Sequence, residues 1–272
     1  MVGQVGNMGL SKTTRKHYEQ HGIHCGCVIH GEYYPWEYVE KLYSALQRHF
    51  SYPIHMHVWT EKARDVPKHF IKHELRDLKV KGPKRGWWYK MQLFNPKAYK
   101  GRLFYFDLDV VIVSNLDWML HLSEDKFWAV RDFRYLFRKS KSWNFNSSVM
   151  VFNTDEWRGL WKKFKQASDY YMRQFNGDQD FVNAEVPINR KAFLDWNKIK
   201  SFRWQVQDGG IDFVYRTYPN KGKPRDHIFH DLSIVIFHGL PNPHEITDDE
   251  AVSYTHLRAH ETGRNLVCRL VL

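Results

Sequence analysis

Residues Leu103–Val113 read LFYFDLDVVIV, and this run carries the strongest strand signal in the chain. Its near-continuous hydrophobicity is typical of a strand that is buried on both faces, as in a parallel sheet covered by helices. Two aspartates, Asp107 and Asp109, interrupt the run. Side chains two residues apart on a strand point to the same side, so we expect both carboxylates to face one ligand.

These two carboxylates pose an electrostatic problem, because burying adjacent like charges without a partner is costly. A divalent cation would resolve it. Hard oxygen ligands suit Mg²⁺ or Mn²⁺, which typically take their remaining ligands from phosphates and water. The alternative is a pair of strand-end carboxylates that bind backbone amides or nearby lysine and arginine side chains. The Asp-x-Asp pattern by itself does not distinguish these two interpretations.

Strand and helix patterns alternate on both sides of this run. Further strands are predicted at His24–His30, Ile54–Thr60, Phe127–Arg131, Ser148–Phe152 and Ser233–Phe237. Helices are predicted after Pro35, around His69–His73, over Trp87–Phe94, over Thr154–Ala167 with Thr154 as the N-cap, and around Gln179–Val186. The alternation predicts a single α/β domain, a Rossmann-like α/β/α sandwich with a mostly parallel central sheet.

Composition narrows the class of protein. The chain has 272 residues, of which 43% are hydrophobic and 16% aromatic, too many aromatics for a disordered chain. No apolar stretch approaches the roughly 20 residues that span a bilayer, and the start of the chain lacks the apolar segment of a secretory signal. Three cysteines do not make a disulfide scaffold in this length. We therefore expect a cytoplasmic globular protein.

The two ends differ from the middle. Residues 1–23 are predicted to be a poorly ordered leader. Residues 251–272, AVSYTHLRAHETGRNLVCRLVL, closely resemble translated sequencing-adapter DNA, so a non-native tail is expected there. The alternative is a genuine helix over 249–260. The predicted domain is thus 24–250, truncated at its C-terminus. It carries +7 of the formal net charge of +11, which suits a phosphate-bearing partner, either nucleic acid or a small nucleotide.

Four segments accompany RLFYFDLDVVIVSNLDWML in a recognisable order. They read GWWYKMQLF, NSSVMVFN, NGDQDFVN and IVIFHGLPNPHE. Together they resemble GT-A-fold glycosyltransferases, specifically bacterial and phage enzymes related to the family 8 retaining transferases that include glycogenin. The resemblance runs from about Cys27 to Glu245. Its most specific parts are the Asp-x-Asp strand with Ser114–Asp117 and the late His-Gly-x-Pro-x-Pro-His loop.

The resemblance implies roles for residues around a nucleoside diphosphate sugar. Asp107, Asp109 and His238 would bind Mn²⁺ or Mg²⁺ at the diphosphate, with Asp107 also near the ribose. Lys90 would face the donor phosphates or sugar. Asn146 and Ser147 would line the sugar pocket. Asp178 and Gln179 would lie near the anomeric carbon, with Asp180 in the same loop. The nucleoside would be contacted by His30, Gly31, Tyr33, Thr60 and Glu61.

Two positions depart from the family pattern. Family members usually carry a lysine where this chain has Asn242, and that lysine would neutralise the departing diphosphate. His244, Lys90 or a lysine from 221–223 would then have to supply the positive charge. Glu61 stands where aspartate is usual, a milder change. Because Asn242 replaces that lysine, the alternative stays open that the protein is an inactive homologue, which binds nucleotide sugar without transferring the sugar.

The implied reaction is sugar transfer to a glycan, a glycolipid or another hydroxyl acceptor, with the α configuration retained. Front-face substitution and a double displacement through Asp178 or Asp180 both remain open. A nucleic-acid-binding protein would use the basic charge, but it does not explain aspartates in the most buried strand, because carboxylates repel a polyanion. A nucleotidyltransferase or phosphohydrolase could also use Asp107 and Asp109. Such an enzyme would need further carboxylates around the metal, whereas the sequence offers a single late histidine as an additional ligand. We therefore expect no nucleic-acid partner.

Overall fold

The computed structural model describes residues 10–80, 83–133, 144–206, 231–239 and 242–245, and within them the chain forms ten β-strands and five α-helices. The strands are β1 Ile23–Val28, β2 Ile54–Thr60, β3 Ile71–Glu74, β4 Arg102–Phe106, β5 Val110–Ile112, β6 Phe127–Arg131, β7 Phe145–Asn153, β8 Lys191–Phe193, β9 Ile199–Ser201 and β10 Ile234–Ile236.

The α-helices are α1 Lys12–His21, α2 Glu37–His49, α3 Arg158–Gln166, α4 Ser168–Gln174 and α5 Asp178–Glu185. Short 3-10 helices cover Pro83–Phe94, Asp117–His121, Ile188–Arg190 and Pro243–Glu245, and Phe202–Val206 form a π-helical turn. No helix among the described residues is long and apolar enough to cross a membrane.

Two sheets hold these strands together. The larger has the order β3-β2-β1-β4-β7-β6-β8, and the smaller has the order β5-β10-β9. Four of the six neighbouring pairs in the larger sheet are parallel, while β7 runs antiparallel to both β4 and β6. This confirms the predicted α/β fold with a mostly parallel central sheet.

β4 lies between two hydrophobic cores. Phe104 and Phe106 belong to the core that α2 covers, whereas Leu103 and Tyr105 belong to the core under the 3-10 helix Pro83–Phe94 and α3. Because successive side chains of a strand point to opposite faces, one strand feeds both cores. This two-sided burial is the reason for the strand's unbroken hydrophobicity.

The run Leu103–Val113 is two strands rather than the single strand predicted. β4 ends at Phe106, a turn over Asp107–Asp109 follows, and β5 then pairs with β10 in the smaller sheet. Leu108 is buried between the two aspartates, so the hydrophobic pattern continues through the turn. The prediction failed because two short buried strands in different sheets have the same composition as one long strand.

Three other elements also differ from prediction. Part of the predicted leader is helical: α1 begins after Ser11, whose hydroxyl accepts from the Thr14 amide, and Tyr18 on it is buried. His73 lies on β3 rather than on a helix. Thr154 does not cap α3, because its hydroxyl donates to the carbonyl oxygens of Tyr99 and Gly101 and α3 begins four residues later. Residues 251–272 lie outside the described residues.

A chain of histidine rings crosses the first three strands. His24 Nδ1 and His57 Nε2 lie 2.9 Å apart, and His57 Nδ1 and His73 Nε2 lie 2.7 Å apart. Burial and then the neighbouring histidines lower the pKa of His57 to about 3 and that of His24 to about 4, and burial lowers the pKa of His73 to about 4. These rings are therefore neutral in the folded protein near neutral pH.

This histidine chain predicts stability that is sensitive to acid. The unfolded chain binds protons on these rings below their ordinary pKa of 6.5 and the folded protein does not, so unfolding takes up protons. The free energy of unfolding should be at its full value above about pH 6.5 and should fall as the pH drops from there toward 4. Thermal unfolding midpoints at about pH 7.5 and about pH 5 measure the difference.

The variant His57→Gln, which cannot titrate, should show a smaller difference between the two midpoints. His121→Gln, which removes an exposed histidine outside the chain of rings, is the matched control. Equal pH dependence in wild type and His57→Gln would contradict the assignment.

Candidate active site

A cavity of about 910 Å³ lies where β1, β4 and β6 of the larger sheet and β10 of the smaller sheet end. β7 runs antiparallel to β4, so its first residues reach the same edge, and the Asp107 amide donates to the Ser148 carbonyl oxygen at 2.8 Å. The cavity lining combines the predicted aspartates with residues from several separate parts of the chain. Its polar lining residues include His30, Tyr33, Tyr34, Lys90, Asp107, Asp109, Asp132, Asn146, Ser147, Asp178, Gln179, Asp180, His238 and Asn242.

Lys90 joins Asp107 and Ser147, and together with Asp109 these residues form the floor of the cavity. Its Nζ lies 2.7 Å from Asp107 Oδ2 and donates to Ser147 Oγ at 3.2 Å, and Tyr105 Oη donates to Asp107 Oδ1 at 2.6 Å. Burial alone would lower the pKa of Lys90, but the charges of Asp107, Asp178 and Asp109 raise it to about 12. Lys90 is thus a permanent cation among three carboxylates.

Asp109 differs from Asp107 in its surroundings. Its Oδ1 is buried and has no hydrogen-bond partner among the described residues. Burial, and then the charge of Asp107, raise the pKa of Asp109 well above its ordinary range. An unpartnered carboxylate oxygen beside a second carboxylate is the kind of donor that Mg²⁺ or Mn²⁺ binds, so these two residues fit such an ion.

His238 lies on the same cavity but is engaged elsewhere. Its Nε2 shares a 2.7 Å hydrogen bond with Ser201 Oγ, and its ring stacks on Phe133 at 5.0 Å. Among the described residues, no three histidine, cysteine or acidic side chains form a group that could hold a metal. The predicted set of Asp107, Asp109 and His238 is therefore not assembled in the structure, and His238 as a ligand stays a prediction.

The predicted sugar-pocket residues do meet at the cavity. Asp178 is the first residue of α5 and is buried, and burial raises its pKa while Lys90 lowers it. Gln179 and Asp180 follow it at the cavity wall, and Ser147 is bonded to Lys90. Asn146 also lines the cavity, with its Oδ1 accepting from the Ser148 amide at 3.0 Å.

The predicted nucleoside contacts divide into two groups. His30 and Tyr33 line the cavity, and the His30 ring stacks on Tyr89 at 3.9 Å. Thr60 and Glu61 do not line it. Thr60 is fully buried, and its hydroxyl donates to Glu61 Oε2 at 2.8 Å.

Glu61 supports the loop after β1 instead of facing the cavity. Its carboxylate accepts from the Gly31 amide and from Arg64 Nε, while Arg64 Nη2 donates to the Gly31 carbonyl oxygen at 2.5 Å. Gly31 itself is not among the cavity-lining residues, and its φ of 67° lies in the region that favours glycine. Both polar backbone groups of this residue are therefore held by one ion pair.

The late loop also departs from expectation. Asn242 is buried and lines the cavity. The side chain of His244 and residues 221–223 lie outside the described residues. Lys90 is thus the one lysine or arginine that lines the cavity within the described part of the chain.

Solved structures of other proteins share this architecture, whereas no family model and no curated protein sequence matches the chain. The galactosyltransferase LgtC, solved in complex with donor and acceptor sugar analogues, is 14% identical with a TM-score of 0.60. The match covers 92% of this chain and 100% of that one.

Two further structures agree. The glycosyltransferase GlyE of Streptococcus pneumoniae TIGR4 is 13% identical with a TM-score of 0.58, and the match covers 92% of this chain and 63% of that one. The bifunctional glycosyltransferase WbbM is 12% identical with a TM-score of 0.54, and the match covers 82% of this chain and 46% of that one. The chain has the GT-A fold.

Asp132 and Tyr34 of this GT-A cavity were not predicted from the sequence, and Trp87 could be interpreted there either as packing or as stacking on a base or sugar. Asp132 follows β6 directly, so its position after a predicted strand was the available signal. Trp87 lines the cavity, while Trp88 is buried. The Trp87 ring packs closely against the backbone at Gly177, because a Cβ on that residue would lie only 2.9 Å from Trp87 Nε1. Tyr34 is one residue beyond the predicted loop, and no sequence signal singled it out.

The role of Glu61 in this GT-A domain is testable through stability. Glu61→Ala should lower the free energy of unfolding by about 1–3 kcal/mol, because it leaves the Gly31 amide and Arg64 Nε without their acceptor. Hydrogen bonds from Arg64, Gly31 and Thr60 outweigh burial and lower the pKa of Glu61 to about 2. Its contribution should therefore be complete above about pH 4.5 and be lost as the pH falls from there toward 2.

Chemical denaturation at neutral pH measures this loss of stability. Glu74→Ala, which removes an exposed carboxylate from the neighbouring β3, is the matched control. If the two variants were equally stable, Glu61 would have no supporting role.

Proposed function

We propose that the protein is a metal-dependent glycosyltransferase that moves a sugar from a nucleoside diphosphate sugar to an acceptor hydroxyl, with retention of the α configuration. The observation that carries the proposal is the pair Asp107 and Asp109 at the floor of the cavity, with one buried oxygen of Asp109 unpartnered among the described residues. The GT-A fold, shared with a galactosyltransferase that binds donor and acceptor sugar analogues, adds support.

The charge of the cavity explains why a cation would be required. Five aspartates line it, and Lys90 is the single lysine that lines it among the described residues. A diphosphate approaching this floor alone would be repelled by the carboxylates. The acidic lining therefore favours a donor that binds together with a divalent cation, and it disfavours a nucleic acid, whose phosphates would meet the same repulsion without one. The aspartates are Asp107, Asp109, Asp132, Asp178 and Asp180.

Asp107 and Asp109 would hold the metal, and His238 would join them by exchanging its bond with Ser201. When bound, Mn²⁺ or Mg²⁺ supplies Lewis-acid neutralisation of the leaving diphosphate. Lys90 contributes a second positive charge from the protein itself. Its bonds to Asp107 and Ser147 fix the position of its ammonium group, so the charge does not need to be reoriented during the reaction.

The sugar would lie between Lys90 and the start of α5. Asn146 and Ser147 would contact its hydroxyl groups, as polar groups that fix ligand orientation do in a cavity. Asp178 and Gln179 would lie near the anomeric carbon and stabilise its developing positive charge. The carboxylate of Asp178 is buried, and Lys90 and Ser147 lower its pKa against the larger effect of burial. The carboxylate therefore interacts with the floor of the cavity.

We favour front-face substitution. The bond between the anomeric carbon and the diphosphate oxygen breaks, a bond to the acceptor oxygen forms on the same face, and the acceptor proton passes to the departing phosphate oxygen. A double displacement through Asp178 or Asp180 is the second candidate. A covalent sugar–enzyme adduct trapped on either aspartate would favour it.

Nucleoside diphosphate release tests the proposal. The wild-type protein, incubated with a panel of nucleotide sugars and MnCl₂, should release nucleoside diphosphate from at least one of them, and chelation by EDTA should stop the release. Asp109→Asn removes the negative charge of the unpartnered carboxylate and should lower the rate by about 10²–10³-fold or more. Asp125→Asn, an exposed aspartate outside the cavity, is the matched control.

The same panel discriminates the competing functions. Binding of nucleotide sugar without release would indicate an inactive homologue. Release that is independent of metal, or full activity of Asp109→Asn, would contradict the metal assignment. Steeply salt-dependent binding of DNA or RNA, with no response to any nucleotide sugar, would favour the nucleic-acid-binding alternative.

A further inference from the structure

Asn242 connects two loops that are far apart in sequence. Its Nδ2 donates to Tyr33 Oη at 3.0 Å, and its Oδ1 accepts from Tyr34 Oη at 3.3 Å. The two tyrosines belong to the loop after β1, and Asn242 belongs to the loop after β10. All three side chains line the cavity.

The local backbone explains why the amide points toward the tyrosines. Asn242 precedes the 3-10 turn Pro243–Glu245, and Glu245 Oε2 accepts from the Asn242 backbone amide at 2.6 Å. This is the reciprocal half of a capping box, with proline at the first helical position. The Glu245 amide is bonded to the Asn242 carbonyl oxygen, so the side-chain amide is not needed as a cap.

The orientation of the amide follows from its partners. Glu245 Oε2 also accepts from Asn242 Nδ2 at 3.1 Å, and a carboxylate can only accept. Nδ2 must therefore face Glu245 and Tyr33, which leaves Oδ1 for the Tyr34 hydroxyl. Both donors and the acceptor of the amide are used, and the residue is 3% exposed.

The contact reaches the acidic floor through Tyr34. Burial, and then the charges of Asp109 and Asp107, raise the pKa of Tyr34, so its hydroxyl lies in the field of both carboxylates. Tyr33, by contrast, is 62% exposed at the rim of the cavity. The Asn242 amide thus holds Tyr33 at the rim of the cavity and Tyr34 near the two aspartates, and both tyrosines belong to the same loop.

We propose that Asn242 is a positioning residue that holds the loop carrying Tyr33 and Tyr34 in its donor-binding position, instead of supplying charge to the diphosphate. This inference rests on the proposed function, because it takes the loop after β1 to contact the donor nucleoside. The positive charge from the protein then comes from Lys90. Asn242 acts on donor binding through the tyrosines and takes no part in bond breaking.

Titration of UDP, GDP, CDP and ADP with MnCl₂ tests the inference. Asn242→Ala and Tyr33→Phe should each weaken binding of the diphosphate that the wild type binds by about three- to tenfold, the effect of one or two hydrogen bonds. The double variant should be no weaker than Asn242→Ala alone, because both changes remove the same contact. In turnover assays the donor KM should rise while kcat changes less than about twofold.

Asn242→Lys separates positioning from charge. A lysine there adds a positive charge but removes the amide, so binding should be no tighter than in Asn242→Ala. Tighter binding in Asn242→Lys than in Asn242→Ala, unchanged binding in Asn242→Ala, or additive effects in the double variant would overturn the inference. Tyr170→Phe, which removes a hydroxyl from an exposed tyrosine on α4 outside the cavity, is the matched control.

Thermal unfolding without any donor gives an independent readout. Asn242→Ala and Tyr33→Phe should each lower the midpoint, and their double variant should lower it no further than Asn242→Ala. Additive shifts would refute the contact itself. A wild-type protein that binds none of the four diphosphates would refute the proposed function and the donor role of Asn242 together, and the unfolding data would still decide whether the two loops are joined.

Discussion

Two carboxylates held side by side at the end of a buried strand are the constraint on which this structure depends. Asp107 is neutralised by Lys90 and further bonded by Tyr105, whereas Asp109 keeps a buried oxygen without a partner among the described residues. Burying an unpartnered carboxylate oxygen beside a second carboxylate costs free energy unless a bound partner, such as a cation, compensates for it. Backbone and cores are built around the pair: β4 ends immediately before it, and β5 begins immediately after it in another sheet.

The topology concentrates the remaining polar groups at the same edge. β1 and β4 are parallel and deliver their carboxyl ends there, which places the loop after β1 beside the aspartates, and the loop after β10 in the smaller sheet lines the same cavity. β7 is antiparallel, so it contributes its first residues, Asn146 and Ser147, instead of its last. The Phe237 amide donates to the Asp109 carbonyl oxygen at 3.0 Å, which ties the loop after β10 to the aspartate turn. The cavity therefore draws on segments that span most of the described chain.

Much of the fold followed from hydrophobic pattern, and the limits of that pattern are physical. Ile54–Thr60 and Phe127–Arg131 were predicted with their observed bounds, because their periodicity and their flanking residues agree. The break after Phe106 was hidden, because burial in two different sheets leaves the same hydrophobic run. Glu61 was expected at the ligand but holds the Gly31 backbone. Its partner is fixed by the distance between two loops, which no local pattern encodes.

The charge of the chain takes on a different meaning once its distribution is known. A formal net charge of +11 would ordinarily suggest a polyanionic partner, yet the described cavity lining is acidic. The two facts are compatible if the overall field attracts an anionic donor at long range and the cavity floor accepts it only with a cation. A polyanion would satisfy the first condition and not the second. Under the proposed function, the aspartates would therefore be the selective element, and the basic charge outside the cavity would raise the local concentration of nucleotide without choosing among anions.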